Sequence, residues 1–423
     1  MGDPGVRPPL WGAGGAVPLD EFLPLGRPRN RAAGPVGPAR PPHRCAAEQA
    51  LCLLMAGRDW AAAVRCAEEA LADDVCRRAE LCVARALSTL VYGGELVTAD
   101  EHSLALAARP ETAGVVALLR ARLARLCGDV DRAHDLLGAL AGSDAGLGTR
   151  VVAACWAVEL LAECGEVDRA RALAAEHGLD RVPAAGAACR PVLLAARGAL
   201  AMAADRYDAA AADYLECGRE LTARGVLNPA VLPWRGEAAL AAFAAGRCGL
   251  ASSLARQEYA AAVSWGESRT VGRALSAVAI VDARGREVEL LGEAGQLLEL
   301  AQAWPELGRV SYELGVRLAA RGDVPAARQR LERARGLALR VGDAGRAARA
   351  ERALVDLAPA RRPALTRQQA RIARLAIAGY SNKEIAAKLF LALRTVEFHL
   401  SSAYDKLGIA GRRELRTALV DCA

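Results

Sequence analysis

From about residue 45 to residue 358 the apolar pattern reads as helix after helix. The linkers are short and often hold a glycine followed by a charge. The apolar positions are filled by Ala, Leu and Val rather than by rings: hydrophobic residues make up 53% of the 423 residues and aromatics 4%. Ala and Leu favour helix, whereas sheets favour β-branched and aromatic side chains, so the pattern predicts an all-α fold. One turn recurs. Gly128-Asp129-Val130-Asp131-Arg132-Ala133 is followed by Gly165-Glu166-Val167-Asp168-Arg169-Ala170, with relatives at Gly57, Asp205, Gly246 and Gly322 and weaker ones at Gly93-Gly94 and Arg284-Gly285. Positions 57, 93, 128, 165, 205, 246, 285 and 322 are separated by steps of 36, 35, 37, 40, 41, 39 and 37.

Such a period predicts a repeated helical hairpin. The glycine ends the first helix in a left-handed cap, the acid opens the second at the positive end of its dipole, and the following alanines allow close packing. A single hairpin cannot bury its apolar face, so neighbours must stack into a solenoid. The pattern resembles tetratricopeptide repeats, with a somewhat longer period than their usual one. A solenoid of this kind implies a concave binding face for an unknown protein or small-molecule ligand. Trp156, Trp234, Trp265 and Trp304 fit core packing better than a groove lining.

Residues 1–44 hold ten of the nineteen prolines and eight of the forty glycines, which predicts a disordered tail with local docking of Trp11, Phe22 and Leu23. Residues 359–364, with Pro359, Arg361, Arg362 and Pro363, read as a linker between the repeat domain (45–358) and a C-terminal domain (365–423).

Four helices are predicted in that last domain. Thr366 with Gln369 makes a capping box for a helix to about Ala378, ended by Gly379; Ser381 with Glu384 makes a second box for a short helix bearing Ile385, Ala386 and Leu389. Phe390-Leu391-Ala392 turns the chain into a third helix, Leu393 to Leu407, with Val396, Leu400, Ala403 or Tyr404, and Leu407 on its apolar stripe, and Gly408 ends it. A last helix spans about Arg412 to Val420. A short helix, a tight turn and a longer helix with a polar face is helix-turn-helix geometry, whose second helix enters the major groove of DNA. Charge agrees. Residues 363–423 carry three Lys and seven Arg against five acids, +5 of the chain's +6, and those three lysines (Lys383, Lys388, Lys406) are the only ones in the protein. None follows a glycine-rich turn, which excludes a phosphate-cradling loop.

Leu365-Thr366, the run Gly379 to Ala386, the run Arg394 to Leu400, and Lys406-Leu407-Gly408-Ile409 resemble the LuxR-type (GerE-type) DNA-binding domain. With helical repeats in front, the chain looks like the C-terminal part of the large ATP-binding LuxR regulators of actinobacteria, relatives of MalT, without their ATPase. The resemblance implies that Lys383 and Thr395 touch phosphate, that Glu397, Phe398 and Ser401 face bases, and that His399 and Lys406 contact the DNA backbone. Ser381, Asn382 and Arg394 complete the expected DNA-binding set. The helix from Arg412 would pair two copies on an inverted-repeat operator, with RNA polymerase as a further candidate partner. Ala392-Leu393 departs from the polar start common at this helix and forfeits an N-cap, at about 1 kcal/mol. Phe398 fits either a thymine methyl or the small core.

No C-x-x-C pair occurs among the twelve cysteines, and the one close His/Cys pairing is His43 with Cys45, so spacing points to no metal site. Cys66, Cys82, Cys127, Cys155 and Cys164 read as small core residues of a reducing compartment. No catalytic constellation and no cofactor motif is found, nor a signal peptide or membrane-length apolar run. The expectation is a cytoplasmic, non-enzymatic, sequence-specific transcription regulator, an activator, of the kind the family places beside secondary-metabolite genes. The competing expectation is an interaction scaffold with a degenerate helix-turn-helix.

Overall fold

A computed structural model describes residues 45–106, 113–181, 187–357, 365–407 and 409–415. The expected tail 1–44 with its three docking residues, the linker 359–364, Gly408 and the end of the last expected helix lie outside the described residues. The chain divides into two compact units, Met1–Ala353 and Leu354–Ala423.

The first unit contains eight helical hairpins and part of a ninth element among its described residues. They are α1 (Ala46–Ala56) with α2 (Trp60–Ala72), α3 (Glu80–Tyr92) with α4 (Leu96–Leu106), α5 (Ala113–Cys127) with α6 (Val130–Ala141), and α7 (Leu147–Glu163) with α8 (Val167–Glu176). Next come α9 (Arg190–Ala203) with α10 (Tyr207–Ala223), α11 (Trp234–Ala244) with α12 (Cys248–Trp265), α13 (Ser268–Val281) with α14 (Glu287–Leu300), α15 (Trp304–Ala320) with α16 (Val324–Arg340), and α17 (Ala344–Asp356). The all-α hairpin solenoid expected from the period is the observed fold.

Local chemistry explains the repeat. Every hairpin turn carries a residue at positive φ: Gly57, Gly94, Gly128, Gly165, Asp205, Gly246, Gly285 and Gly322. In the second repeat the left-handed residue is Gly94 rather than Gly93. Asp59, Asp129 and Asp323 accept from the backbone N–H of Ala62, Arg132 and Ala326 and so cap the second helices, worth about 1 kcal/mol each. Glu166 occupies the same place without a side-chain cap. Adjacent helices pack along the chain, and the first helices of neighbouring hairpins pack on each other, α1 on α3, α3 on α5, α5 on α7 and α7 on α9. Alanine fills much of the buried seam, as at Ala84, Ala153, Ala210, Ala239 and Ala255, which lets the helices approach closely.

The stack also winds onto itself. Asn228 Nδ2 donates to the Leu54 carbonyl at 2.8 Å across 174 positions, and Leu227 N–H donates to the Met55 carbonyl at 2.8 Å. Further on, α5 touches α15. A Cβ on Gly345 would overlap the Cys164 carbonyl, so only glycine permits that approach.

Cysteine placement departs from expectation at one position. Cys66, Cys155 and Cys164 are buried and Cys82 is half-buried, whereas Cys127, at the last residue of α5, is exposed. Trp265 is fully buried, and Trp156 is buried while also bordering an internal cavity. Among the described residues, no helix is long and apolar enough to cross a membrane.

Candidate nucleic-acid interface and an internal cavity

The second unit holds α18 (Arg367–Ile377), α19 (Asn382–Leu389), α20 (Leu393–Leu407) and a 3-10 turn at Arg412–Glu414. Both capping boxes form. Thr366 Oγ1 accepts from Gln369 N–H while Gln369 Oε1 accepts from Thr366 N–H at 2.9 Å, and Ser381 with Glu384 repeats the arrangement. Hydrogen bonds from Ser381 hold the Glu384 carboxyl below its ordinary value. Ile372, Ala373, Ile385, Val396, Leu400 and Leu407 make the core, where α18 and α19 pack against α20. Phe390 makes the turn in a left-handed conformation, φ 54°, with its ring 96% exposed. Ala392 stands before α20, and its carbonyl accepts from Thr395 and Val396 N–H without any side-chain cap. Only the 3-10 start of the last expected helix falls within the described residues.

The opposite face of α20 is bare. Arg394, Glu397, Phe398, Ser401 and Asp405 recur at three- and four-residue steps and all are exposed. Phe398 is 68% exposed, lies outside the core, and meets the half-buried His399 ring edge-on at 5.8 Å. The His399 Nδ1 atom is buried without a hydrogen-bond partner. Thr395 is half-buried; Ser381 and Lys383, at the start of α19, are exposed.

Besides Ser381 in its capping box, two more expected contact residues are engaged inside the domain. Lys406 Nζ donates to Gln369 Oε1 at 2.9 Å, and Gln369 Nε2 donates to Ser402 Oγ at 3.0 Å. Asn382 Oδ1 accepts from Arg412 at 3.3 Å. Arg412 also donates to the Ala376 carbonyl at 2.9 Å and to the Tyr380 carbonyl, so its guanidinium pins the end of α18 to the start of α19. Sequence reasoning missed this clamp, because nothing local announces a bond across some thirty positions. Lys388 lies 4.0 Å from the Tyr380 ring centroid and donates to its hydroxyl at 2.9 Å.

The repeat unit contains a partly open cavity of about 560 Å³. Its charged and aromatic lining comes from first helices of the hairpins, α3 (Tyr92), α5 (Arg122, Arg125), α7 (Trp156, Glu159, Glu163), α11 (Glu237), α13 (Arg273) and α15 (Arg309, Tyr312), joined by α17 (Arg346) and by Tyr207 and Tyr214 of α10. Arg125 donates to Glu159 at 2.7 Å and Glu163 at 2.6 Å. Burial pushes the Glu163 carboxyl up, but Arg125, Arg309 and Arg346 outweigh it and hold it at about 2. The Arg122 guanidinium lies 5.5 Å from the Tyr92 ring and 5.3 Å from the Trp156 ring, and its Nε lacks a hydrogen-bond partner. In an adjoining void of about 30 Å³, burial pushes the Glu258 carboxyl up to about 7 against the pull of Arg273 and Arg235, and its Oε2 has no partner.

A short capped helix, a turn and a longer helix with a bare polar face define the second unit as a helix-turn-helix domain. The profile of the family described as bacterial regulatory proteins, luxR family (GerE), matches residues 363–418. The spore germination protein GerE of Bacillus subtilis is 38% identical over 53 residues, 12% of this chain and 72% of that protein. Two proteins named as candidate HTH-type transcriptional regulators, from Mycobacterium bovis and Mycobacterium tuberculosis, are 47% identical over 51 residues; the match spans 12% of this chain and only 6% of either relative. The crystal structure of the APC/C hetero-tetramer Cut9–Hcn1 is similar at TM-score 0.47 and 13% identity over 74% of this chain and 55% of that one, too remote to argue from. The chain belongs to the LuxR family of bacterial regulatory proteins, and its C-terminal domain is the helix-turn-helix module of DNA-binding transcription regulators.

Proposed function

We propose that the protein is a sequence-specific transcription activator, acting in the cytoplasm, with residues 365–423 as DNA reader and the repeat domain (45–358) as signal receiver. The observation that carries this is the exposed stripe Arg394, Glu397, Phe398 and Ser401 on a helix anchored by its buried side. A major groove about 12 Å wide admits such a helix. Glu397 accepts from a cytosine amino group, Phe398 packs on a thymine methyl, and Ser401 completes the base-facing set. Lys383, Ser381, Thr395 and Arg394 hold phosphates beside the groove. Asn382, His399 and Lys406 sit half-buried at its edge, where their internal contacts orient the backbone-facing surface. Two copies joined through the segment following Arg412 bind an inverted repeat and recruit RNA polymerase, at genes of secondary metabolism.

The cavity supports the receiver role. A volume of about 560 Å³ suits a small molecule, and rings beside a guanidinium favour one with an apolar body and an anionic group. The test is selection of random genomic fragments on the full-length protein and on one lacking residues 359–423, at low and near-physiological salt. A motif that survives the higher salt and needs the C-terminal domain is expected. Binding that fades with salt and yields no motif would instead identify a scaffold with a degenerate helix-turn-helix.

A further inference from the structure

Three cysteines from separate elements converge at the first repeats. The Sγ atoms of Cys45, Cys76 and Cys82 all lie within 4.8 Å of one another, and Cys45 and Cys82 are 3.9 Å apart. Among the described residues this is the one such gathering of His, Cys, Asp or Glu donor atoms. The other buried cysteines, Cys66, Cys155, Cys164 and Cys217, fill core positions elsewhere in the unit and do not join it. Cys45 and Cys82 are only half-buried, which suits a site with an entry path better than core filler.

Two helix starts and an arginine border the cluster. Cys45 is the N-cap residue of α1 and Cys82 lies in the first turn of α3, so two positive helix ends face the cluster. Arg85, one turn further along α3, acts on Cys82 and keeps a buried Nε without a hydrogen-bond partner. Asp73 accepts from the Val75 and Cys76 N–H groups at 3.0 and 2.8 Å and fixes the turn that presents the middle sulfur.

We infer that Cys45, Cys76 and Cys82 form a binding site for a thiophilic d10 cation, zinc(II) or copper(I). A metal–sulfur bond of about 2.3 Å puts tetrahedrally arranged sulfurs about 3.8 Å apart, close to the Cys45–Cys82 separation. Thiolates select these cations, and three of them leave the fourth zinc position open or complete a trigonal copper(I) site. Binding converts three S–H groups to metal–sulfur bonds and releases their protons to solvent. The bound ion joins the starts of α1 and α3 to the 3-10 turn Cys76–Arg78, across 37 positions of chain.

The test uses the full-length protein, reduced and stripped with a chelator. Cobalt(II) reports the zinc arm through its thiolate charge-transfer and tetrahedral bands, and copper(I) is supplied from a competing chelator. Uptake of one equivalent of either ion, with about three protons released, is expected. Zinc should bleach the cobalt bands. Cys82→Ser, at a half-exposed position, should lose the bands with its helical circular dichroism intact, and Cys248→Ser, an exposed thiol elsewhere, should keep them. No stoichiometric uptake of either ion by folded protein would overturn the inference. So would equal uptake by a Cys45→Ser/Cys82→Ser double variant, or isolation with a Cys45–Cys82 disulfide and no uptake after reduction.

Discussion

The two units of this protein differ in where part of their cationic charge sits. In the repeat unit one set of arginines turns inward while others, such as Arg171 and Arg219, stay on the surface: Arg125, Arg269 and Arg346 are largely buried, each against a carboxylate, on Glu159 and Glu163, on Glu306, and on Asp343. In the DNA-binding domain the three lysines of the whole protein stand at or near the surface, and the α20 stripe has no covering element in its own unit. The planar guanidinium is weakly hydrated and forks onto two acceptors, so it tolerates burial when matched; the ammonium keeps its water and suits phosphate in solvent. The repeat unit therefore holds matched charges along its cavity as well as on its surface, while the domain keeps its lysines at or near the surface.

The largest break in that comparison should come from Arg125→Ala. It leaves Glu159, buried with it, without its partner, which costs about 3 kcal/mol or more, whereas Glu163, 39% exposed, adds little because solvent screens it. Denaturant titration should show the repeat unit losing stability. Because Glu163 is held at about 2, its contribution is present above the unfolded value near 4.3 and lost as pH falls through about 2. The variant should lose that acid dependence.

Next in size is Glu258→Gln. The folded value of about 7 lies above the unfolded value of about 4.3, so stability is greatest below the unfolded value and is lost as pH rises through 7. Replacing the carboxyl should stabilise the protein at pH 8 by up to about 3 kcal/mol and leave it nearly unchanged at pH 4. Thermal melts at the two pH values check this. An unaltered pH profile would mean that Glu258 finds a partner in solution.

Changes on the exposed surface of α19 and α20 should move binding and not stability. Phe398→Ala should keep the melting temperature, since the ring lies outside the core, and shift base preference at one operator position by about 1–3 kcal/mol. Lys383→Ala should weaken all sequences alike and reduce the salt slope by about 1. Competitive binding across operator variants separates the two. The smallest effect belongs to Phe390→Gly, which relieves a left-handed backbone conformation and should stabilise the domain by at most about 1 kcal/mol, read as a small rise in its denaturation midpoint.

What was legible in the sequence was local. The eight turns announce themselves through glycine or aspartate at positive φ, and both capping boxes through paired residues three apart. The α20 core positions Val396, Leu400 and Leu407 followed from helical spacing. The α20 face was legible for the same reason, although whether Phe398 belonged to core or surface required the packing. The inward arginines, the Arg412 clamp and the cysteine cluster were not legible. Most of these join residues from different helices that only the tertiary packing brings together. Cys45, Cys76 and Cys82 stand 31 and 6 positions apart, a spacing that matches no ligand motif.

The self-contact of the repeat unit also bears on how it is made. An open solenoid gains stability from nearest neighbours alone and can grow from any hairpin. Here Asn228 must find Leu54 and α15 must find α5 before the coil is complete. Loop-closure entropy delays such distant encounters, so a chain whose hairpins are all local should show fast helix formation followed by a slow step. During synthesis, the first two hairpins emerge with their sealing partner still more than a hundred residues from being made, and they wait with one flank uncovered.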